Sequence, residues 1–149
     1  MKIAIGNDHA GYDMKLEIKK MLEEKGHEVI DYGHHSTDSC DFPVYGYKVA
    51  QSVASGETDC GVLICGTGIG ISLAANKVKG IRCALCNDPV SARLTKQHNN
   101  ANIISMGARI IGMETAKAVV SAWLDADFLG GKYQRRIDML TAIENGDAI

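Results

Sequence analysis

The sequence predicts an α/β domain of three layers, in which a five-stranded parallel sheet lies between two layers of helices. Short apolar runs alternate along the chain with longer amphipathic stretches, which is the pattern of repeated strand–helix units. The runs are almost continuously apolar, as expected for strands buried on both faces of a parallel sheet. At 149 residues the chain fits one domain with one core, and residues 1–149 show no repeat or linker that would divide it.

The predicted elements follow one another from the N-terminus. The first strand is KIAIG at 2–6, and the helix after it places Met14, Ile18 and Leu22 on its apolar face, with Lys15 and most other charges elsewhere. The other strands are predicted at 27–33, 60–65, 81–86 and 101–107, and the other helices at 43–55, 68–77, 89–97, 113–125 and 133–145. No strand follows the last helix, so it packs on its own sheet or reaches a partner subunit.

Composition and charge exclude several classes of protein. The chain is 46% hydrophobic and 23% charged, which indicates a globular protein and not a disordered one. Its 16 basic and 18 acidic residues give no support to nucleic-acid binding. No apolar run reaches the roughly 18 residues of a membrane span, and no signal peptide is evident, so we expect no membrane partner and a cytoplasmic location. Five cysteines, an odd number, indicate reduced thiols.

Polar or glycine-rich segments follow three of the predicted strands. Asn7, Asp8 and His9 follow the first strand, the segment 33–41 follows the second, and Cys65 ends the third, just before the glycine loop, residues 66–70. Ligands of open parallel sheets bind outside the carboxyl ends of the strands. We therefore expect these segments to line one cleft.

The glycine loop, GTGIG, predicts an anion site but matches no nucleotide motif. It lacks the Lys and Ser or Thr of a P-loop, and its spacing departs from the dinucleotide fingerprint. Gly66, Gly68 and Gly70 let backbone N–H groups approach a phosphate or an oxyanion, and the start of the next helix adds positive charge. A tight turn without a ligand is the alternative, and the loop alone does not decide between them.

Cys65 stands where the start of the same helix favours a thiolate, which makes it a candidate base or nucleophile. The alternative is an inert small hydrophobic side chain, the usual role of a buried cysteine, and we assign that role to Cys60. Cys83 and Cys86 are three residues apart in a predicted strand and point to opposite faces, which suits neither a disulfide nor a shared metal.

Further candidates lie in the loops. His34, His35, Cys40 and Asp41 lack a metal-ligand spacing, so we prefer contact with solvent or substrate to metal binding. His98, which precedes Asn99 and Asn100, can exchange a proton near neutral pH and orient hydroxyl groups.

The last helix begins with three cationic residues close together, Lys132, Arg135 and Arg136. Cations are unfavourable at a helix N-terminus, so this cluster favours an anionic ligand such as phosphate. A solvated helix start is the alternative interpretation.

Taken together, these motifs resemble those of the type B ribose-5-phosphate isomerases and the related galactose-6-phosphate isomerase subunits. The resemblance spans nearly the whole chain and is carried by GNDHAG at 6–11, CDFPVYG at 40–46, ICGTGIGISLAANK at 64–77, GIRCAL at 80–85, RLTKQHNNANI at 93–103 and GGKYQRRI at 130–137. It implies a Rossmann-like fold and interconversion of ribose 5-phosphate and ribulose 5-phosphate without metal or cofactor. It also implies a homodimer with active sites at the subunit interface, which in turn allows a dimer of dimers.

The resemblance implies a role for each matching residue. Cys65 would be the base that moves a proton between C2 and C1, Thr67 would assist at the sugar oxygens, and His98 would open the furanose ring. The implied substrate-binding residues are Asp8, His9, Gly66, Gly68, Gly70, Asn99, Lys132 and Arg136, with phosphate at His9, Lys132 and Arg136 and hydroxyl groups at Asp8 and Asn99. Arg109, in the loop after the fifth strand, is a further candidate cation for substrate binding.

Two positions depart from the family pattern. Some members carry a glutamate base directly after the last loop glycine, where this chain has Ile71, and this favours Cys65 as the base. Lys132 stands where the family often has arginine. The positive charge is kept, but the guanidinium that could donate to two phosphate oxygens at once is lost. Topology adds a hypothesis: His98 precedes the fifth strand, at the end of the sheet opposite Cys65, so a site using both would take His98 from a partner.

Three other functions remain open at this stage. One is an isomerase of six-carbon sugar phosphates, such as allose 6-phosphate or galactose 6-phosphate, on the same scaffold. The second is a sugar-phosphate-binding or nucleotide-binding module without catalysis, and the third is a thiol redox protein.

Overall fold

The computed structural model describes residues 1–149. Five strands alternate with five helices along the chain, and a sixth helix follows the fifth. The strands are β1 (Lys2–Asn7), β2 (Glu28–Asp31), β3 (Cys60–Cys65), β4 (Cys83–Leu85) and β5 (Ile103–Gly107). The helices are α1 (Tyr12–Glu24), α2 (Phe42–Ala54), α3 (Ile69–Ala75), α4 (Pro89–Asn99), α5 (Met113–Leu124) and α6 (Lys132–Asn145). None of them is both long and apolar enough to cross a membrane.

The strands form one parallel sheet in the order β2-β1-β3-β5-β4, so the predicted three-layer, Rossmann-like fold is confirmed. β3 lies at the centre and is buried along its whole length. It pairs with β5 in a register that runs from Gly61 opposite Ile103 to Cys65 opposite Gly107. The carboxyl ends of β1, β3 and β5 therefore reach the same edge of the sheet.

Two hydrophobic clusters lie on the two faces of the sheet. Side chains of α1, α4 and α5 form one cluster around Trp123, whose indole N–H donates to the Ala101 carbonyl at 3.1 Å. Side chains of α2 and α3 form the other cluster against β3. Cys83 belongs to the second cluster and Cys86 to the first, which confirms that the two thiols point to opposite faces.

Several predicted boundaries are wrong by one or two residues. β4 ends at Leu85, so Cys86 lies beyond it. α3 covers only 69–75: it begins after Gly68, which takes a left-handed conformation, and Asn76 caps its end. α4 extends to Asn99 and ends where Asn100 turns left-handed, with φ of 44°. His98 and Asn99 are therefore the last residues of a helix and do not follow one.

Lys15 is buried, although the amphipathic pattern of α1 predicts that it lies away from the apolar face. Its Nζ pairs with Asp31 Oδ2 at 3.1 Å and donates to the His34 carbonyl at 2.8 Å. A buried ammonium requires such partners. This ion pair ties α1 to the end of β2 and to the loop that leads into α2.

Gly33→Ala is expected to destabilise the fold because Gly33 is packed directly against Asn7. A β-carbon at position 33 would overlap Asn7 Oδ1 and lie 2.9 Å from the Asn7 backbone nitrogen. Neither β1 nor the buried Asn7 can move aside, so we expect a loss of about 3 kcal/mol in the free energy of unfolding, measured by urea denaturation. Gly112→Ala is the control, since no atom lies within 4 Å of a β-carbon there. Equal losses in the two variants would contradict the packing argument.

Candidate active site

Cys65 ends the central strand, with its sulfur under the glycine loop. The residue is 4% exposed, and the Gly68 N–H donates to Cys65 Sγ at 3.1 Å. The adjoining Cys65 carbonyl accepts from the Ala108 amide at 2.8 Å, which fixes the end of β3 against the segment after β5. The glycine loop thus directs a backbone donor at the sulfur.

The glycine loop turns over Cys65 because Gly68 adopts a left-handed conformation, with φ of 79°. A β-carbon at Gly68 would lie 2.5 Å from Leu85 Cδ1 and 2.8 Å from the Met106 carbonyl carbon, so a larger residue does not fit. The buried Ser105 hydroxyl donates to the Gly68 carbonyl at 2.9 Å. The neighbouring strand thus holds the loop from below.

Two amides at the start of the loop have no acceptor within the chain. They are the N–H groups of Gly66 and Thr67, two residues that directly follow Cys65; Gly66 is half-buried and Thr67 is exposed. Thr67 Oγ1 accepts from the Ile69 amide at 3.2 Å. Free amides beside the Cys65 sulfur have the geometry of a site that could stabilise an oxyanion.

Arg109 lies against the same loop. Its backbone amide donates to the Gly66 carbonyl at 3.0 Å, and a β-carbon built on Gly66 would lie 3.5 Å from Arg109 Nη1. The side chain is exposed and forms no ion pair, so it adds positive charge at the mouth of the loop.

Asp8 and His9 lie beside this loop, at the end of β1. The buried Asp8 carboxylate accepts from the amides of Ala10 and Gly11, at 2.9 and 3.3 Å, and so caps the short 3₁₀ turn at 9–11. The Asp8 amide donates to the Ile64 carbonyl at 3.1 Å, which joins β1 to β3 next to Cys65. Asp8, His9, Cys65, the glycine loop and Arg109 together form the carboxyl-edge cluster.

The loop between β2 and α2 covers His9, in line with the cleft expected at this edge, although the sequence did not indicate that Cys40 makes the contact. The Cys40 amide lies 3.4 Å and the Cys40 sulfur 3.9 Å from His9 Nδ1. His34 shares a hydrogen bond of 2.9 Å with the Tyr45 hydroxyl. Burial, followed by the neighbouring Cys40, raises the pKa of Tyr45. No group of three His, Cys, Asp or Glu side chains has the arrangement of a metal site.

Phe42 borders the carboxyl-edge cluster on the same side. A β-carbon at Gly70 would lie 2.8 Å from Phe42 Cζ, so the aromatic ring rests on the backbone of the glycine loop. The motif CDFPVYG at 40–46 was the signal for this segment, but it did not indicate which of its residues face the loop.

The remaining predicted site residues form a second cluster around Tyr133, the α4–α6 cluster. The His98 ring stacks on the Tyr133 ring, with centroids 4.4 Å apart and planes at 10°. Lys132 Nζ lies 5.2 Å and Arg136 Cζ 5.7 Å from the centroid of Tyr133. Asn99, exposed at the end of α4, completes the cluster, and neither cation forms an ion pair.

The two clusters lie toward opposite ends of the sheet. His98 precedes β5, whose first residue, Ile103, is level with Gly61 of β3, four positions before Cys65. Four residues of a strand span about 13 Å, so the two clusters of one chain are well separated along the strand direction.

The structure also contains two cavities that the glycine loop does not line. One, of about 960 Å³, lies beside β2 and α2, and the other, of about 620 Å³, lies between β4, α4 and α6.

Comparison with known proteins identifies the family. The family model described as Ribose/Galactose Isomerase matches residues 3–140. The chain belongs to this family. It is 52% identical over 143 residues to ribose-5-phosphate isomerase B of Escherichia coli (strain K12), covering 96% of each chain.

Solved structures of the family superpose closely on this chain. The ribose-5-phosphate isomerase B of Clostridium thermocellum is 49% identical with a TM-score of 0.97, over 98% of this chain and 99% of that one. The enzyme of Mycoplasma genitalium, solved with ribulose 5-phosphate bound, is 38% identical with a TM-score of 0.93, over 97% of this chain and 96% of that one. The predicted family and fold are thus confirmed.

Alkylation at pH 8 is expected to separate Cys40 from three buried thiols. Burial raises the pKa of Cys60 to about 11, of Cys83 to about 12 and of Cys86 to about 11, so these thiols stay protonated and shielded. Cys40 is only half-buried. Iodoacetamide labelling followed by peptide mass spectrometry should find Cys40 modified first, and all five cysteines modified in urea. Faster labelling of Cys83 than of Cys40 in the native protein would contradict this assignment.

Proposed function

We propose that this chain is an aldose–ketose isomerase that interconverts ribose 5-phosphate and ribulose 5-phosphate through an enediolate. The observation that carries the proposal is the arrangement at Cys65: the sulfur accepts the Gly68 amide, while the adjoining amides of Gly66 and Thr67 are free. Membership of the Ribose/Galactose Isomerase family supports the reaction class. Relatives that carry the name ribose-5-phosphate isomerase B support the five-carbon substrate.

In this mechanism Cys65 moves one proton. Its thiolate removes the proton from C2 of the open-chain aldose, the C2–H electron pair forms the C1–C2 double bond, and the C1 carbonyl oxygen becomes an oxyanion. The thiol returns the proton to C1 while the O2 hydroxyl loses its proton to O1, and the ketose results. Each amide aimed at the oxyanion can lower the barrier by about 3 kcal/mol, so Gly66 and Thr67 would supply much of the stabilisation.

Other residues would bind and open the sugar. Asp8 would accept hydrogen bonds from hydroxyl groups of the sugar, and Asn99 would donate or accept them. Thr67 would assist at the sugar oxygens, and His98 would transfer the proton that opens the furanose ring. Lys132 and Arg136 would bind the phosphate together with His9, and Arg109 would add charge at the glycine loop.

We further propose a homodimer whose active sites combine the carboxyl-edge cluster of one protomer with the α4–α6 cluster of its partner. The separation of the two clusters within one chain supports this assembly. Large apolar side chains are also exposed around the glycine loop, as expected for an interface: Ile69, Leu73, Leu85, Val90 and Ile110. We place the enzyme in the cytoplasm, a location that its five free cysteines support.

Cys65→Ala is expected to lower kcat for ribose 5-phosphate by about 10²- to 10⁴-fold, because the variant lacks the base. The measurement is steady-state kinetics with ribose 5-phosphate and with a six-carbon aldose phosphate, together with exchange of the C2 proton with solvent. The wild type should show the higher kcat/KM with the five-carbon sugar, and the variant should lose exchange and turnover together.

Cys60→Ala is the matched control, since it removes a thiol from the opposite end of the same strand. It should retain wild-type turnover. A Cys65→Ala enzyme as active as the Cys60→Ala enzyme would refute the assignment of the base. A wild type that binds ribose 5-phosphate without exchanging its C2 proton would instead indicate a binding module.

Mixing two variants of strongly reduced activity tests the shared site. Cys65→Ala and His98→Asn homodimers, unfolded together and refolded, should regain about a quarter of the wild-type activity, because half of the dimers are mixed and each mixed dimer has one intact site. Activity is measured before and after mixing, and each variant treated alone is the control. No recovery in a mixture shown by mass spectrometry to contain mixed dimers would place Cys65 and His98 in one protomer's site.

A further inference from the structure

The last turn of α4 is held by Arg82, a residue outside both clusters. Arg82 Nε donates to the carbonyl oxygens of Asn99 at 3.1 Å and Asn100 at 3.2 Å, and Nη2 donates to the Asn100 oxygen at 2.9 Å. Carbonyls at the end of a helix have no amide of the next turn to accept from. A guanidinium satisfies them and also interacts favourably with the negative end of the helix dipole.

The backbone at Arg82 is fixed independently of its side chain. The Arg82 amide donates to Asn102 Oδ1 at 2.8 Å, and the Asn102 amide donates to the Arg82 carbonyl at 3.2 Å. The Asn102 side chain also donates to the Gly80 carbonyl at 2.9 Å. The guanidinium therefore reaches α4 from an anchored point at the start of β4.

The helix end that Arg82 contacts closes through a left-handed residue. Asn100 is the only residue other than glycine with positive φ, a conformation that asparagine adopts more readily than most other side chains. Its amide still donates to the Lys96 carbonyl at 3.1 Å, which closes the helix. His98 and Asn99 immediately precede this turn, so a change in the turn moves both.

We propose that Arg82 is a positioning residue: its guanidinium fixes the last turn of α4 and thereby sets where His98 and Asn99 face the substrate. This inference rests on the proposed function, in which these two residues belong to the active site. Arg82 contacts the backbone oxygens of the turn and acts through them. This role requires several N–H donors in a fixed arrangement, which a guanidinium provides and an ammonium does not.

The first test measures the position of the His98 ring directly. In protein labelled with ¹³C-histidine, the His98 signal is the one missing from His98→Asn, and its shift depends on the stacking with Tyr133. Arg82→Gln should displace this signal. Arg93→Gln is the matched control because it removes the same charge from the exposed surface of α4, where Arg93 forms no hydrogen bond or ion pair, and it should leave the signal in place.

The second test is a double-mutant cycle on kcat/KM for ribose 5-phosphate. Misplacing a catalytic group by about 1 Å can cost about 100-fold, so we expect Arg82→Gln to lose at least about 10-fold, and Arg93→Gln less than about twofold. In the His98→Asn background Arg82→Gln should cost clearly less, because the residue that it positions is already absent. Arg82→Lys, which keeps the charge but not the fork, should fall between the wild type and Arg82→Gln.

The outcomes are distinct. An unmoved His98 signal in Arg82→Gln, or an equal loss of kcat/KM in both backgrounds, overturns the positioning role. If Arg82→Gln does not fold, Arg82→Lys undergoes both measurements with the same criteria. If the wild type does not turn over ribose 5-phosphate, the proposed function fails, while the His98 signal still decides whether Arg82 positions the ring.

Discussion

The carboxyl edge of the sheet depends on the left-handed turn at Gly68. This turn lets the chain pass from β3 into α3 directly above Cys65, so that the Gly68 amide meets the sulfur and the Gly66 and Thr67 amides remain free. β5 supports the turn from below through the Ser105 hydroxyl. A side chain at Gly68 would collide with β5 and with Leu85 of β4. The conformation of the loop and its close packing on the sheet therefore both require glycine at this position.

The central strands were predictable because burial on both faces leaves a continuous apolar run in the sequence. β3 begins and ends where its apolar run does, and β1 differs by one residue. The edge strands β2 and β4 are shorter than predicted, since each pairs with one neighbouring strand only, over four and three residues. Lys15 escaped prediction because its partner Asp31 lies 16 residues away.

The candidate site was predictable where its residues directly follow strands. Asp8, His9, Cys65 and the glycine loop lie together because parallel strands share a carboxyl edge. Two contacts were not predictable: that of Cys40 with His9, and the hydrogen bonds from Arg82 to the carbonyl oxygens at the end of α4. Both join segments that are distant in sequence, and a local pattern contains no information about such pairs.

The cations of α6 and the uncharged donor at Cys65 have an electrostatic consequence for the proposed reaction. A base that works as a thiolate is disfavoured by a nearby phosphate dianion, and a lysine paired with that thiolate would weaken it as a base. Lys132 and Arg136 lie on a different element from Cys65 and are free of ion pairs, so they are available to neutralise the phosphate. The sulfur in turn has only a neutral amide as its donor. In the proposed dimer the α6 cations of one protomer would therefore neutralise the phosphate at the shared site, while the sulfur of the other protomer keeps an uncharged hydrogen-bond donor.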